Sequence, residues 1–182
     1  ANWLAWRRPR FVQRLAKAIV SPVMRFLLDH PAPVAEFRRE DISPFLWANG
    51  KLPASDEWEA LAANNFKDYR LKVYGLVENP VELSLDDLQA MGKKEQITLH
   101  HCIQGWSGIA AWGGLPMAEL IKLVRPKHNA KAIVFRSFGE GVALHKGVSG
   151  VQYYDNLSIA NALNSQTLLA YEMNYQSLNH LH

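Results

Sequence analysis

Short segments with the pattern of β-strands recur along the chain, and they limit its fold more than any other feature. Four of them are long enough to form strands, at 69–77, 96–102, 132–137 and 167–173, and in the first of them Leu71 and Val73 alternate with more polar neighbours. Helical signals lie between them: Ser84 with Asp87 three positions later resembles a cap, Pro116 opens PMAELIKLV, and a short helix fits 157–163. Strands joined by brief helices predict a mixed, β-rich α+β domain.

The N-terminal part has the pattern of a basic amphipathic helix. The apolar side of the helical wheel holds Val12, Leu15, Ala16, Ile19, Val20, Val23 and Leu27, and the other side holds Arg10, Arg14, Lys17 and Arg25. Pro9 suits the first turn of such a helix. We expect Pro22 to kink or divide it near Ser21, because proline lacks an N–H and clashes with the preceding turn.

A linker is expected at 29–33 (DHPAP), since a residue that precedes proline is pushed out of the helical region. The sequence therefore predicts a basic helical arm over 1–30 and a domain over 36–182. Three roles for the arm stay open. It lies on an anionic membrane surface through residues 3–28 with Trp3 and Trp6 as anchors, it docks on a partner, or it packs over its own domain.

Charge is distributed unevenly between these two parts. Residues 1–30 contain six basic and one acidic residue, a net charge of +5, whereas the remainder contains fourteen basic and sixteen acidic residues. A nucleic-acid-binding protein usually carries basic residues across its body, so no nucleic-acid partner is predicted. A single cysteine excludes an internal disulfide and a metal site built from several thiolates.

The compartment stays open on sequence grounds. No apolar run reaches the ~18 residues needed to cross a bilayer, and no secretory leader pattern is visible. We expect the cytoplasm or the cytoplasmic membrane surface, or the periplasm if a leader has been removed.

The stretch HHCIQGWSGIAAWGG, residues 100–114, is the candidate for chemistry. Alternation along the strand places Cys102 with Thr98 and His100, opposite His101, and the chain is then expected to enter a loop that contains Gly105, Gly108, Gly113 and Gly114. A thiolate beside glycines and imidazoles can bind a metal or attack an electrophile. A buried, inert cysteine is the alternative.

Four blocks in this order resemble the molybdenum-cofactor domain of the sulfite oxidase family, including its bacterial methionine-sulfoxide-reductase-type members. They are HHCIQGWSG, WGGLPMAELIKLV, FRSFGEG and YYDNLSIANALNSQTLLAYEMN. With DISPFLWANGKLP and YRLKVYGLVENPVELSLDDL upstream, the similarity covers residues 41–182. It implies a β-rich cofactor domain and an enzyme that moves an oxygen atom to or from a small substrate such as sulfite or a sulfoxide.

The resemblance assigns the metal to Cys102, which matches the family's cysteine that binds molybdenum beside the dithiolene sulfurs of one molybdopterin. Soft thiolate ligation suits such a metal, and the pterin sulfurs supply the donors that one cysteine cannot. Asn49 matches an asparagine that touches the pterin, with an ordinary turn residue as the alternative. Arg136 and Ser137 lie where the family contacts the cofactor, and the guanidinium is suited to a phosphate.

Further residues follow from the same resemblance. His101 and Gln104 flank the cysteine and are candidates for orienting the cofactor. Tyr154 lies in the segment that borders the family's substrate pocket, where a phenol can donate a hydrogen bond to an oxygen at the metal; strand packing is the alternative. Trp106 and Trp112 are expected to be structural.

The sequence also departs from the family. The family continues beyond the position of His182 with further blocks that help to close the cofactor pocket, so the domain is expected to be incomplete at this end. His100, His101 and Gln104 differ from vertebrate-type members. No CxxCH haem motif is present, so electrons are expected to pass to a separate protein or a membrane partner.

Two other functions stay open. In the first, Cys102 is a catalytic nucleophile with His100, His101, His145 or a distant imidazole as its base. In the second, the chain is a cofactor-free binding module that the N-terminal helix recruits to a membrane.

Overall fold

The computed structural model of the chain describes residues 9–29, 33–47, 52–53, 55–102, 104–140 and 152–180. Two units are distinguished, Ala1–Pro33 and Val34–His182. The first contains helix α1, Pro9–Asp29, which continues through Pro22. Of the two effects expected of Pro22, a division of the helix is wrong, since a missing N–H removes only one helical hydrogen bond and the apolar pattern resumes at Val23. A kink at this position stays a prediction. Among the described helices, none combines the length and the apolar character that a bilayer crossing requires.

The second unit is built from short strands and short helices. Its helices are the 3₁₀ turn Arg39–Asp41, α2 (Asp56–Ala63), α3 (Leu85–Ala90), α4 (Met117–Val124) and α5 (Ile159–Ala162). Its strands are β1 (Leu71–Val73), β2 (Val81–Leu83), β3 (Lys94–His101), β4 (Ser107–Pro116), β5 (Ala132–Glu140), β6 (Gln152–Ser158), β7 (Leu168–Met173) and β8 (Gln176–Ser177). This mixture confirms the predicted α+β class.

All strand pairs named here are antiparallel. The central sheet has the order β3-β4-β7-β8, and β1-β2 and β5-β6 are separate two-stranded sheets. Strands β3 and β4 form a hairpin in which Lys94 lies opposite Gly114 and His101 lies opposite Ser107. The chain reversal at 102–106 is therefore fixed by the register of a paired strand on each side.

The core of the second unit lies where α3 and α4 pack against β4. Its buried residues are Leu88, Leu115, Met117, Leu120 and Val124. Helix α4 buries its apolar positions at helical spacing, which is the pattern that predicted it, and Pro116 stands at its N-terminal cap. The predicted cap of α3 is confirmed as a capping box between Ser84 and Asp87.

Two predicted segments differ in the structure. The strand expected at 69–77 is reduced to Leu71–Val73, because the chain turns at Gly75, whose φ is +103°. The loop expected to contain Gly108, Gly113 and Gly114 is instead strand β4. These glycines allow other parts of the chain to approach β4, since a Cβ at Gly114 would overlap the backbone of β7 at Leu169.

Candidate functional site

Cys102 lies in the tight turn that joins β3 to β4. Its backbone N–H donates to the carbonyl of Trp106 at 2.9 Å, and the N–H of Gly105 donates to the carbonyl of Cys102 at 3.0 Å. Gly105 has a φ of +90°, a left-handed conformation that favours glycine, and this is what lets the turn close. The half-buried thiol thus lies in a turn that is closed by backbone hydrogen bonds.

The sulfur of Cys102 accepts a hydrogen bond from the backbone N–H of Gln104 at 3.5 Å. The Gln104 side chain is exposed. In this structure Gln104 therefore acts on the thiol through its backbone, a contact that its residue type does not predict.

The two histidines before Cys102 have different surroundings. His101 Nδ1 lies 2.9 Å from the hydroxyl oxygen of Ser107, its partner across the hairpin. The ring of His100 lies 5.7 Å from Trp106 and 6.2 Å from Trp112, centroid to centroid. The bond to Ser107 orients His101 across the hairpin, so its Nδ1 is engaged away from the sulfur.

Trp106 is the residue of this turn that sequence reasoning missed. Its indole Nε1 is buried and has no hydrogen-bond acceptor among the described residues. A buried N–H without a partner costs about 1–3 kcal/mol, so such groups usually mark a ligand or water that satisfies them. The feature of the sequence that could have indicated this role is the position of Trp106, at the other end of the turn that begins at Cys102.

The predicted residues Arg136, Ser137 and Tyr154 meet on the β5–β6 hairpin. Arg136 lies directly opposite Tyr154, so their side chains share one face of the pair. The hydroxyl of Ser137 donates to the carbonyl of Tyr153 at 3.3 Å, while the Ser137 carbonyl accepts from Gln152 Nε2 at 2.6 Å. Arg136 and Tyr154 are exposed, which leaves a cation and a phenol side by side at the surface.

The candidates therefore form two groups. His101, Cys102 and Gln104 lie in one turn of the central sheet, and Arg136, Ser137 and Tyr154 lie on the separate β5–β6 sheet. Asn49 and His145 lie outside the described residues. Sequence reasoning did not predict strand β6, and that strand is what brings Tyr154 to Arg136.

The donor chemistry of the turn fits a metal that arrives within an organic cofactor. In the described part of the chain, no group of three or more His, Cys, Asp or Glu side chains could hold a metal by itself. Cys102 offers one soft sulfur ligand, so the remaining ligands would have to come from a cofactor. The buried indole N–H of Trp106 on the same turn is a donor that such a group can use.

Comparison with known proteins gives a family and a fold. Residues 59–182 match the family described as "oxidoreductase molybdopterin binding domain". A protein assigned as protein-methionine-sulfoxide reductase subunit YedZ1 from Azospira oryzae is 33% identical over 110 residues, which is 60% of this chain and 37% of that protein. The protein-methionine-sulfoxide reductase catalytic subunit MsrP from Ralstonia nicotianae is 34% identical over 115 residues, which is 60% of this chain and 34% of that protein.

Among solved structures, the sulfane dehydrogenase SoxCD from Paracoccus pantotrophus has a similar fold. The TM-score is 0.50 at 19% identity, over 63% of this chain and 31% of that chain. The chain spans about a third of the length of the curated relatives it matches.

Proposed function

Because the chain belongs to the family of oxidoreductase molybdopterin-binding domains, we propose that it forms part of a molybdenum-dependent oxidoreductase in which Cys102 binds the metal. Its reaction is oxygen-atom transfer to or from a small substrate such as sulfite or a sulfoxide, with electrons exchanged with a separate protein. The observation that carries this proposal is the Cys102 turn, where one half-buried sulfur accepts a backbone N–H and can serve as a soft metal ligand. Among the described residues, no group of three or more His, Cys, Asp or Glu side chains could hold a metal by itself.

The turn places the sulfur of Cys102 where a metal ligand is needed. The backbone N–H of Gln104 is directed at this sulfur at 3.5 Å. Backbone bonds from Cys102 and Gly105 close the turn that carries it. The cofactor, when bound, supplies the redox chemistry and the site of oxygen transfer.

Two groups in the turn can orient the cofactor. The indole N–H of Trp106 can donate to a polar atom of the pterin, which would satisfy a donor that has no acceptor among the described residues. His101 has Nδ1 engaged by Ser107, so Nε2 is the nitrogen left to reach a ligand. Asn49, by its match to the family's asparagine, is proposed to contact the pterin.

The β5–β6 hairpin supplies groups for anions. Arg136 can form a paired, charge-assisted hydrogen bond with a phosphate of the cofactor. Ser137, next to it and also matched to a cofactor contact by the resemblance, has its hydroxyl donated to the carbonyl of Tyr153 in this structure. Tyr154, opposite Arg136, can donate its phenolic proton in a hydrogen bond to an oxygen of the substrate.

The Cys102→Ser variant tests the proposal. In the protein expressed from its complete reading frame in molybdate-supplied cells, we expect the wild type to contain about one molybdenum per chain and the variant to lose most of it while keeping its circular dichroism spectrum. Sulfite oxidation and methionine sulfoxide reduction, measured with artificial electron carriers, should fall with the metal. A metal-free wild type that still turns over substrate would contradict the proposal.

Alkylation distinguishes this function from cysteine catalysis. A thiolate bound to metal is protected from iodoacetamide, whereas a catalytic nucleophile reacts readily. We expect Cys102 to become reactive only after the metal has been removed.

A further inference from the structure

Helix α1 separates apolar and basic side chains onto opposite sides over residues 10–23. At about 100° per residue, Arg10, Arg14 and Lys17 fall within a narrow arc on one side. Leu15, Ile19 and Val23 lie near the centre of the opposite side, and Phe11 and Val20 lie toward its edges. These two groups define two surfaces, which we call the basic face and the apolar face.

The apolar face is exposed. Its five side chains are between 51 and 63% accessible. A contiguous apolar surface of this kind is rare on a soluble monomer and marks a site of association. We therefore expect a binding partner to cover the apolar face of α1.

The basic face indicates the charge of that occupant. Arg10, Arg14 and Lys17 are exposed and make no ion pair within the described residues. The part of the chain beyond residue 30 has slightly more acidic than basic residues, so the positive charge is concentrated in the arm. Charge complementarity favours an anionic partner next to an apolar one, and a membrane of anionic lipids offers both in one plane.

We propose that α1 is a membrane-surface anchor, lying parallel to a bilayer that contains anionic phospholipid. The apolar face enters the boundary between headgroups and acyl chains, and the long arginine and lysine side chains extend from the opposite face toward the headgroups. This inference goes beyond the proposed function and does not depend on the cofactor, so either can fail without the other.

The test uses the 182-residue chain with vesicles of phosphatidylcholine, either alone or with one-third phosphatidylglycerol. Co-sedimentation should show binding to the anionic vesicles that weakens as salt is raised. Each cation near such a surface contributes about five-fold in affinity. The double variant Arg14→Gln, Lys17→Gln should therefore bind about thirty-fold more weakly.

Matched variants locate the contact. Lys127→Gln with Lys131→Gln removes the same charge from exposed positions in the second unit, and this control should bind within two- or three-fold of the wild type. Ile19→Asn in the apolar face should lose ten-fold or more, since burying such a side chain in an apolar phase contributes at least that factor. Circular dichroism checks that each variant keeps its helix.

Hydrogen exchange shows which segment meets the membrane. Amides of residues 9–29 should become protected when anionic vesicles are added, and those of the second unit should not change. Equal binding by wild type and both helix variants would overturn the proposal, as would equal binding to neutral vesicles or no binding at all. Protection of α1 without vesicles that is not increased by adding anionic vesicles would also overturn it. If that protection grows with protein concentration the occupant is a second copy, and if it does not the occupant is the chain's own domain.

Discussion

Replacing Gly114 with alanine tests how β4 is held against β7. A Cβ at Gly114 would lie 2.7 Å from the Cα of Ala170 and closer still to the carbonyl oxygen of Leu169. Both atoms belong to the backbone of β7, so no side chain can rotate to make room. The pairing between β4 and β7 shifts register at this point, between Gly113 and Gly114.

The loss of stability in Gly114→Ala is large because the backbone of β7 would have to move. Overpacking a well-packed site costs about 1–3 kcal/mol, and an overlap with backbone belongs at the upper end of that range. A destabilisation of about 3 kcal/mol corresponds to a fall of about 6–12 °C in melting temperature for a unit of this size.

Gly113→Ala is the matched control. Its Cβ would lie 2.9 Å from the carboxylate of Glu172, which can turn away, and 3.1 Å from the Glu172 Cβ, which has to give by only a few tenths of an ångström. The movement would weaken the ion pair between Glu172 and Lys93, which is partly exposed and contributes about 0–1 kcal/mol. Urea unfolding followed by circular dichroism should show a loss of about 3 kcal/mol for Gly114→Ala and about 1 kcal/mol or less for Gly113→Ala. Equal losses of unfolding free energy in the two variants would refute the claim that Gly114 is needed because the β7 backbone lies against it.

Three further predictions concern the site and the cap of α3. Trp106→Phe should weaken cofactor retention, measured as the pterin released on denaturation. It should leave the cofactor-free chain as stable or more stable, because it removes a buried donor that lacks an acceptor among the described residues. An equal loss of pterin in Trp112→Phe would contradict this role of Trp106. Cys102→Ser should lower molybdenum content without lowering the melting temperature of the cofactor-free chain, and a large drop in that temperature would instead indicate a structural cysteine. The hydroxyl and backbone N–H of Ser84 donate to the Asp87 carboxylate and hold its pKa below the ordinary value. The charged carboxylate therefore stabilises α3 at neutral pH. This stabilisation is lost as pH falls through the lowered pKa. Ser84→Ala should raise the Asp87 pKa toward the ordinary value and cost about 1 kcal/mol at pH 7, as followed by NMR titration and urea unfolding; an unchanged pKa would contradict the assignment.

Local signals predicted the elements whose formation depends on neighbouring residues. Ser84 and Asp87 satisfy each other within one turn, so the cap of α3 is written into four consecutive positions. Helix α4 is equally local, because its buried residues recur at helical spacing after Pro116. Such features need no knowledge of distant contacts.

Features that depend on distant strands were missed or misread. In the sequence, the glycines of β4 are typical of a loop. Their presence in a strand is explained by the close approach of β7 and of other segments to β4. Strand β6 begins with Gln152, Tyr153 and Tyr154, which are exposed and show no alternation of burial. Its existence depends on pairing with β5, so the sequence gives little sign of it.

The candidate site also combines features that local sequence predicted with features that depend on distant contacts. The location of Cys102 at the end of a strand was predictable, because alternation and the nearby glycine mark the end of β3. The backbone N–H of Gln104 at the sulfur and the buried indole of Trp106 depend on how the turn closes. The pairing of Arg136 with Tyr154 depends on the register of two strands that the sequence did not connect.

Molybdenum K-edge X-ray absorption of the protein from its complete reading frame is the most direct measurement of the metal site. If Cys102 is a ligand, the wild type will show sulfur scatterers from both the pterin and the protein, and whatever metal Cys102→Ser retains will have one sulfur fewer. An identical sulfur shell in the two proteins, or a wild type that binds no molybdenum in molybdate-supplied cells, would contradict the assignment of the metal to this turn.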